Sequence, residues 1–254
     1  MRCNVMGTKN LVSVCKQMKN LECVVFVSTA FSNCQLNEID EKIYPLPHEP
    51  EAIIGLFESL DMEALETLVP KLIQNRPNTY VYTKAISEHI VWNEIKDTTL
   101  VIARPAIVGP AILEPTAGWT DSLHGPAGLS ILAGLGIVQT VDWDFNVTPD
   151  AIPVDFLSNA LLSSAWHSLT FKRGQKTIYN MTSSNFKPMC AGEFMVHARN
   201  ASLIYPSIYA MRPCMHPPRS RQSRMMYKIR CFFYHILFAY LIDVLLMLVG
   251  RPRM

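Results

Sequence analysis

Two short runs of β-branched and apolar residues, Cys23-Val24-Val25-Phe26-Val27 and Leu100-Val101-Ile102-Ala103, constrain this 254-residue chain more than any other feature. Neither run alternates with polar residues. A strand that is apolar on both faces has both faces covered, as in a parallel sheet flanked by helices. Helical spacing runs from Asn4 to Met18, with Val5, Leu11, Val12, Val14 and Cys15 on one side, and again from Thr79 to Ile95. Helix, strand, helix, strand in that order predicts βαβ connections and an α/β fold with a doubly wound parallel sheet.

The segment between the strands is long. Residues Asn33 to Asn78 exceed an ordinary loop, and Ile54, Phe57, Leu60, Leu65 and Leu68 predict a helix from Glu51 to Val69 that Pro70 ends. Insertions of this kind over a sheet tend to be binding elements, so the segment reads as a helical flap. Pro110 to Gly136, rich in Gly and Pro, reads as an ordered loop region. Cys231 to Val249 is apolar except for His235 and Asp243, just long enough for the ~30 Å hydrocarbon core of a bilayer. Lys228 and Arg230 before it, and Arg251 and Arg253 after it, bracket the run. A span, an interfacial helix, a re-entrant hairpin and a buried amphipathic helix all fit this pattern.

Composition narrows the setting. A formal net charge of +2 carries no implication of nucleic acid, although acids gather between Glu38 and Glu66 and bases between Arg212 and Arg230. A basic stretch directly before an apolar run favours a membrane surface. Seven scattered cysteines with no CxxC read as free thiols of a reducing compartment. Met1 to Thr8 lacks the apolar run of a secretory signal, which predicts a cytosol-facing chain in which the sequons at Asn146 and Asn180 stay unmodified. The seven histidines show no metal-ligand spacing.

The chemistry gathers on Tyr80-Val81-Tyr82-Thr83-Lys84. Tyr80 and Lys84 share a helix face, so the ammonium can approach the phenol and lower its pKa. Such a tyrosine can protonate a carbonyl oxygen as hydride arrives at the carbon. Ser28 and Thr29 close the first strand, and the carboxyl ends of parallel strands face a ligand crevice, where a hydroxyl can donate to the same oxygen.

Asn4 to Thr8, Phe26 to Phe31, the Tyr80/Lys84 pair and Arg104 to Val108 resemble the second half of an extended short-chain dehydrogenase. More narrowly, Asn78-Thr79-Tyr80 with Thr83-Lys84, Glu114-Pro115 with Gly118-Trp119, Gly125-Pro126 and Ile152-Pro153-Val154-Asp155 are similar to the alcohol-forming fatty acyl-CoA reductases. Tyr205-Pro206 and the run ending Gly250-Arg251-Pro252-Arg253 resemble that family's terminal region.

The resemblance implies an incomplete Rossmann-like sheet over residues 1–181 and a mostly helical C-terminal region over 182–254, with the membrane-associating segment at 231–249. It implies NADPH as cofactor and a long-chain fatty acyl-CoA as substrate, reduced with two NADPH through an aldehyde to a primary alcohol. Tyr80 would be the acid, and Lys84 would hold the nicotinamide ribose. Thr29 matches the hydroxyl position, with Ser28 as the lesser candidate, and Pro105, Ala106, Ile107 and Val108 would line the nicotinamide. The flap would help cover the acyl-CoA site. The setting implied is the cytosolic side of a peroxisomal or endoplasmic reticulum membrane.

The chain departs from the family pattern at its start. Its eleven glycines form no GxxGxxG or GxGxxG, so the turn that cradles a pyrophosphate is absent, and the sequence reads as N-terminally truncated. That leaves a second reading, a catalytically inactive membrane-associated relative that acts through binding. A third is another extended short-chain dehydrogenase acting on a steroid or sugar nucleotide.

Overall fold

The computed structural model describes residues 1–184, 188–213 and 224–250. The chain forms two compact units, one of residues 1–108 with 151–183 and one of 109–150 with 184–254. Residues 109–150, expected from sequence within the sheet domain of 1–181, fold with the C-terminal region instead.

The first unit starts with a π-helical turn, Arg2–Met6, that runs into α1 (Gly7–Gln17) and then β1 (Cys23–Val27). Two helices follow, α2 (Pro50–Ser59) and α3 (Met62–Ile73), where the spacing had predicted one. The break lies at Leu60, because the Asp61 carboxylate accepts the Ala64 amide at 2.8 Å and so caps a new helix. Pro70 sits inside α3 rather than ending it. The carbonyl it leaves without a donor is that of Glu66, an exposed residue, where water can reach it.

α4 (Thr79–Glu94) is capped by Asn78, whose side chain accepts the Val81 amide at 3.0 Å. β2 (Thr99–Pro105) follows, then the short β3 (Ile107–Gly109). Within the predicted loop region the structure forms α5 (Gly125–Gly134), with Pro126 in its first turn, where a missing amide proton costs nothing. β4 (Ala151–Pro153), α6 (Val154–Phe171), β5 (Lys176–Met181) and α7 (Ala191–Ile204) complete the order up to the last helix.

The sheet is parallel with order β1-β2-β5, Val25 opposite Val101 and Ile102 opposite Ile178. β2 is central and wholly buried. β1, read from sequence as covered on both faces, is only half-buried, since a single neighbour flanks it. α4 packs Tyr82, Ile86, Ile90 and Val91 into a core shared with Val5, Val12, Ile53, Ile54, Leu100 and Ile102. Burying such side chains stabilises by about 1.5–3 kcal/mol each.

In the second unit α5 and α7 close around Ala133, Phe145 and Met195. The apolar helix runs as α8 (Arg224–Cys231), a π-helical turn Phe232–Ile236 and α9 (Leu237–Leu248). Met225–Leu248 is long and apolar enough to cross a membrane, and its side chains stay outside the packed core. Arg212 ties it down: Nη1 donates to the Tyr234 carbonyl at 2.8 Å, Nε donates to the Gly136 carbonyl at 3.0 Å, and the guanidinium lies 3.8 Å from the Phe238 ring centre. A side chain at Gly136 would collide with the Arg212 carbonyl. Arg251 and Arg253, expected to bracket the run, lie outside the described residues.

Candidate active site

The carboxyl ends of β1 and β2 meet. The Ser28 amide donates to the Ala103 carbonyl at 2.7 Å and the Ala30 amide to the Pro105 carbonyl at 2.8 Å, so the chain leaves both strands side by side. The Ala106 amide continues the pattern onto Met181 of β5 at 3.0 Å. Ser28, Thr29, Pro105 and Ala106 are thereby fixed at one end of the sheet, all buried. Ile107 is half-buried and Val108 exposed, so only the first part of the Pro105–Val108 stretch is rigidly enclosed.

α4 brings its polar stripe to the same end. Lys84 Nζ donates to the Val27 carbonyl at 3.0 Å, the last residue of β1, and lies 5.6 Å from the Phe26 ring centre. Burial holds Lys84 below the usual lysine range, with the Glu88 carboxylate opposing that shift. One turn earlier, Tyr80 is 51% exposed and its hydroxyl has no partner among the described residues. Burial of the rest of the ring raises its pKa. The sequence reading expected Lys84 to lower it; instead the ammonium is drawn toward the β1 carbonyl, and the phenol stays protonated. A protonated phenol is the form that can donate.

The two hydroxyls at the strand end differ. Ser28 Oγ donates to Glu88 Oε1 at 2.5 Å, so its proton is committed. Thr29 Oγ1 accepts the Phe31 amide at 3.3 Å, and its own proton has no acceptor among the described residues. Thr29 rather than Ser28 has a proton left for a ligand.

Glu88, one turn past Lys84, is the residue that sequence reasoning missed. It is 2% exposed and gathers four bonds: Ser28 Oγ and Ser32 Oγ on Oε1, Arg104 Nε on Oε1 at 3.0 Å, and Arg104 Nη2 on Oε2 at 2.7 Å. Arg104 also donates to the carbonyls of Asp40 and Lys42 at 3.0 and 2.8 Å. Asn180 Nδ2 donates to the Ile39 carbonyl, and its amide donates to Glu41 Oε1, each at 2.8 Å. The start of the flap is thus fastened to the ends of β2 and β5. The available signal was the spacing Tyr80, Lys84, Glu88, one face of a helix continued by a carboxylate.

Lys84 uses one of its three N–H groups on Val27, and the hydroxyls of Tyr80 and Thr29 have protons to give. That donor set fits the ribose hydroxyls of a dinucleotide and a carbonyl oxygen. Among the described residues no cluster of His, Cys, Asp and Glu suits a metal.

An NAD-binding family model described as Male sterility protein matches residues 1–161. Fatty acyl-CoA reductase 1 of Homo sapiens is 38% identical over 253 residues, 99% of this chain and 48% of that protein. The Xenopus laevis protein of the same name is 38% identical over 256 residues, 100% of this chain and 49% of its own length. Fatty acyl-CoA reductase 2 of Mus musculus is 43% identical over 185 residues, 73% of this chain and 36% of its own. The chain therefore spans about half the length of these relatives.

Two solved structures share the fold. The UDP-glucose 4-epimerase of Bifidobacterium longum in complex with NAD+ and UDP gives a TM-score of 0.53 at 16% identity, over 86% of this chain and 58% of that one. MoeE5 in complex with UDP-glucose and NAD gives 0.52 at 18%, over 87% and 58%. At that identity they show the Rossmann-like architecture and nothing finer. With the family match over residues 1–161 and identity to the reductases along its length, the chain belongs to the Male sterility protein family, together with the fatty acyl-CoA reductases.

Proposed function

We propose that the chain works in the NADPH-dependent reduction of a long-chain fatty acyl-CoA to a primary alcohol with release of CoA. The observation that carries this reading is the Tyr80 hydroxyl, without a partner among the described residues, on the α4 face whose next turn places Lys84 against the end of β1. The 38% identity to fatty acyl-CoA reductase 1 supports the substrate class.

NADPH, when bound, supplies the hydrides that take the thioester to the aldehyde and the aldehyde to the alcohol. Tyr80 gives its proton to the substrate oxygen, and Thr29 donates a hydrogen bond to that same oxygen. The two free N–H groups of Lys84 hold the nicotinamide ribose and place it against Tyr80. Pro105 and Ala106 form the wall on which the nicotinamide rests, fixed by the bonds to Ala30 and Met181. The fastened flap keeps water from the reacting carbonyl. No residue is assigned to the pyrophosphate. A membrane location, where long-chain acyl substrates and alcohols reside, is supported by the length and apolar character of Met225–Leu248.

The test is NADPH oxidation with palmitoyl-CoA by the protein that the complete transcript encodes, with the lipid product identified by gas chromatography. Hexadecanol formation is expected. Full-length protein that binds palmitoyl-CoA but consumes no NADPH would favour the inactive, membrane-binding relative.

A further inference from the structure

Arg76 sits two residues before the Asn78 cap of α4, on the turn where Gln74 adopts φ 52°. Asn75 and Pro77 on either side are exposed, yet Arg76 is only 6% exposed. Guanidinium stays charged at any working pH, so a buried one needs an anion or a full set of acceptors. The other buried arginine, Arg104, has both, a bidentate carboxylate and two carbonyls. Arg76 has neither. Among the described residues its side chain forms no ion pair and no hydrogen bond, and its Nε is buried without an acceptor.

Its guanidinium carbon lies 5.4 Å from the centre of the Tyr82 ring. Tyr82 is 3% exposed, and its hydroxyl is likewise buried without a partner, although the ring lies in the apolar core with Ile53 and Ile54. Burial pulls Arg76 below the usual arginine range, opposed by Tyr82 and by Cys34 from the turn after β1. A cation and a phenol are therefore buried side by side with no hydrogen bond joining them, and the buried Nε and hydroxyl have no other partner among the described residues. Such a pair is built for an oxyanion that the described residues do not supply.

We propose that Arg76 and Tyr82 bind a phosphate group of the coenzyme A part of the acyl substrate. This rests on the reductase reading above. A phosphate offers several acceptor oxygens to a planar guanidinium and a hydroxyl at once. The position suits the handle of a thioester. Arg76 lies four residues from Tyr80, at most about 14 Å along the chain. The carbonyl then sits at Tyr80 while the pantetheine arm passes around the N-terminal turn of α4, whose dipole also favours an anion. The flap that ends at Asn78 thereby reads the nucleotide end of the substrate.

The experiment is calorimetric titration of the full-length protein with palmitoyl-CoA, with S-palmitoyl-pantetheine, which lacks the nucleotide phosphates, and with NADPH. Wild type is expected to prefer palmitoyl-CoA to the pantetheine ester. Arg76→Gln should weaken palmitoyl-CoA roughly 10- to 100-fold and leave the pantetheine ester and NADPH unchanged. Arg76→Lys should recover part of the loss. Tyr82→Phe removes only an unpartnered hydroxyl, so it folds as wild type and should show a smaller loss, again confined to palmitoyl-CoA; it carries the test if Arg76→Gln does not fold. A loss falling on NADPH would overturn the proposal in favour of the cofactor's phosphate. Equal wild-type affinity for the two thioesters, or folded variants that bind palmitoyl-CoA normally, would overturn it outright. Phosphate-dependent binding of palmitoyl-CoA without any NADPH oxidation would sink the reductase reading while leaving this site standing.

Discussion

Glu88 and Arg104 form a bidentate pair at 2.7 and 3.0 Å in which the carboxylate is 2% exposed and the guanidinium fully buried. The pair joins three pieces of chain: α4 through Glu88, β2 through Arg104, and the flap through the Asp40 and Lys42 carbonyls. Removing one partner leaves a charge buried without its counter-ion. Glu88→Gln should therefore cost about 3–5 kcal/mol in urea unfolding, while the double change Glu88→Leu with Arg104→Met should recover much of that. Additive losses in the double variant would show that the two residues do not act as a pair.

Ser28 and Thr29 are neighbours with separable roles. Ser28→Ala removes one of three donors on Glu88 Oε1, so it should lower stability by about 1–3 kcal/mol with little effect on turnover once folded. Thr29→Val removes a proton with no acceptor among the described residues, along with the long bond from the Phe31 amide, so it should cost no more than about 1 kcal/mol of stability while kcat falls about 10²- to 10³-fold, the usual cost of one donor to a developing oxyanion. Melting curves and single-turnover rates on both variants decide this. The opposite split would transfer the role to Ser28.

Alkaline titration separates Tyr80 from Lys84. The phenol is raised above 10.0 and the ammonium lowered below 10.5, both through burial. Between its unfolded and folded pKa values Tyr80 binds more protons folded than unfolded, so its contribution to stability is present below pH 10.0 and fades as pH rises above it. Lys84 acts in the other direction: the penalty for burying its charge disappears as pH rises through its lowered pKa toward 10.5. The ultraviolet difference titration of wild type against Tyr80→Phe should thus show a phenolate forming above pH 10.0. A midpoint below that would mean Lys84 already stabilises phenolate without cofactor.

The apolar helix gives a membrane prediction. Leu241 and Leu245 are exposed on α9. Leu241→Arg should weaken partition into phosphatidylcholine vesicles by about 2.5–3.5 kcal/mol if the residue sits near mid-bilayer. Co-sedimentation with vesicles measures it, and unchanged partition would place that face of the helix against protein.

Much of this architecture is legible in the sequence because burial and periodicity agree there. Cys23–Val27, Thr79–Glu94 and Thr99–Pro105 each carry a strong local pattern, and the parallel pairing follows from their order. β5 escaped because Lys176-Thr177-Ile178-Tyr179-Asn180-Met181 mixes polar residues into a strand with a single partner, where they are tolerated. α5 escaped because its Gly and Pro mimic a loop, although Gly128 is required by the Leu123 carbonyl packed against it. Tyr80, Lys84 and the strand-end hydroxyls could be found from spacing. Glu88 continues that spacing, but its pairing with Arg104 is not legible, since a charged residue reads as surface until the structure shows its partner. Arg76 reads as surface too, since Asn75 and Pro77 beside it are exposed and only the structure shows its burial.

The reductase mechanism turns on Tyr80 protonating the substrate oxygen. Its most direct test is single-turnover reduction of palmitoyl-CoA by the full-length protein and by Tyr80→Phe, with NADPH consumption and palmitoyl-CoA binding followed in parallel. Wild type should consume two NADPH per hexadecanol, and Tyr80→Phe should lose nearly all hydride transfer while keeping its affinity for palmitoyl-CoA. Alcohol formed by Tyr80→Phe at the wild-type rate would contradict it.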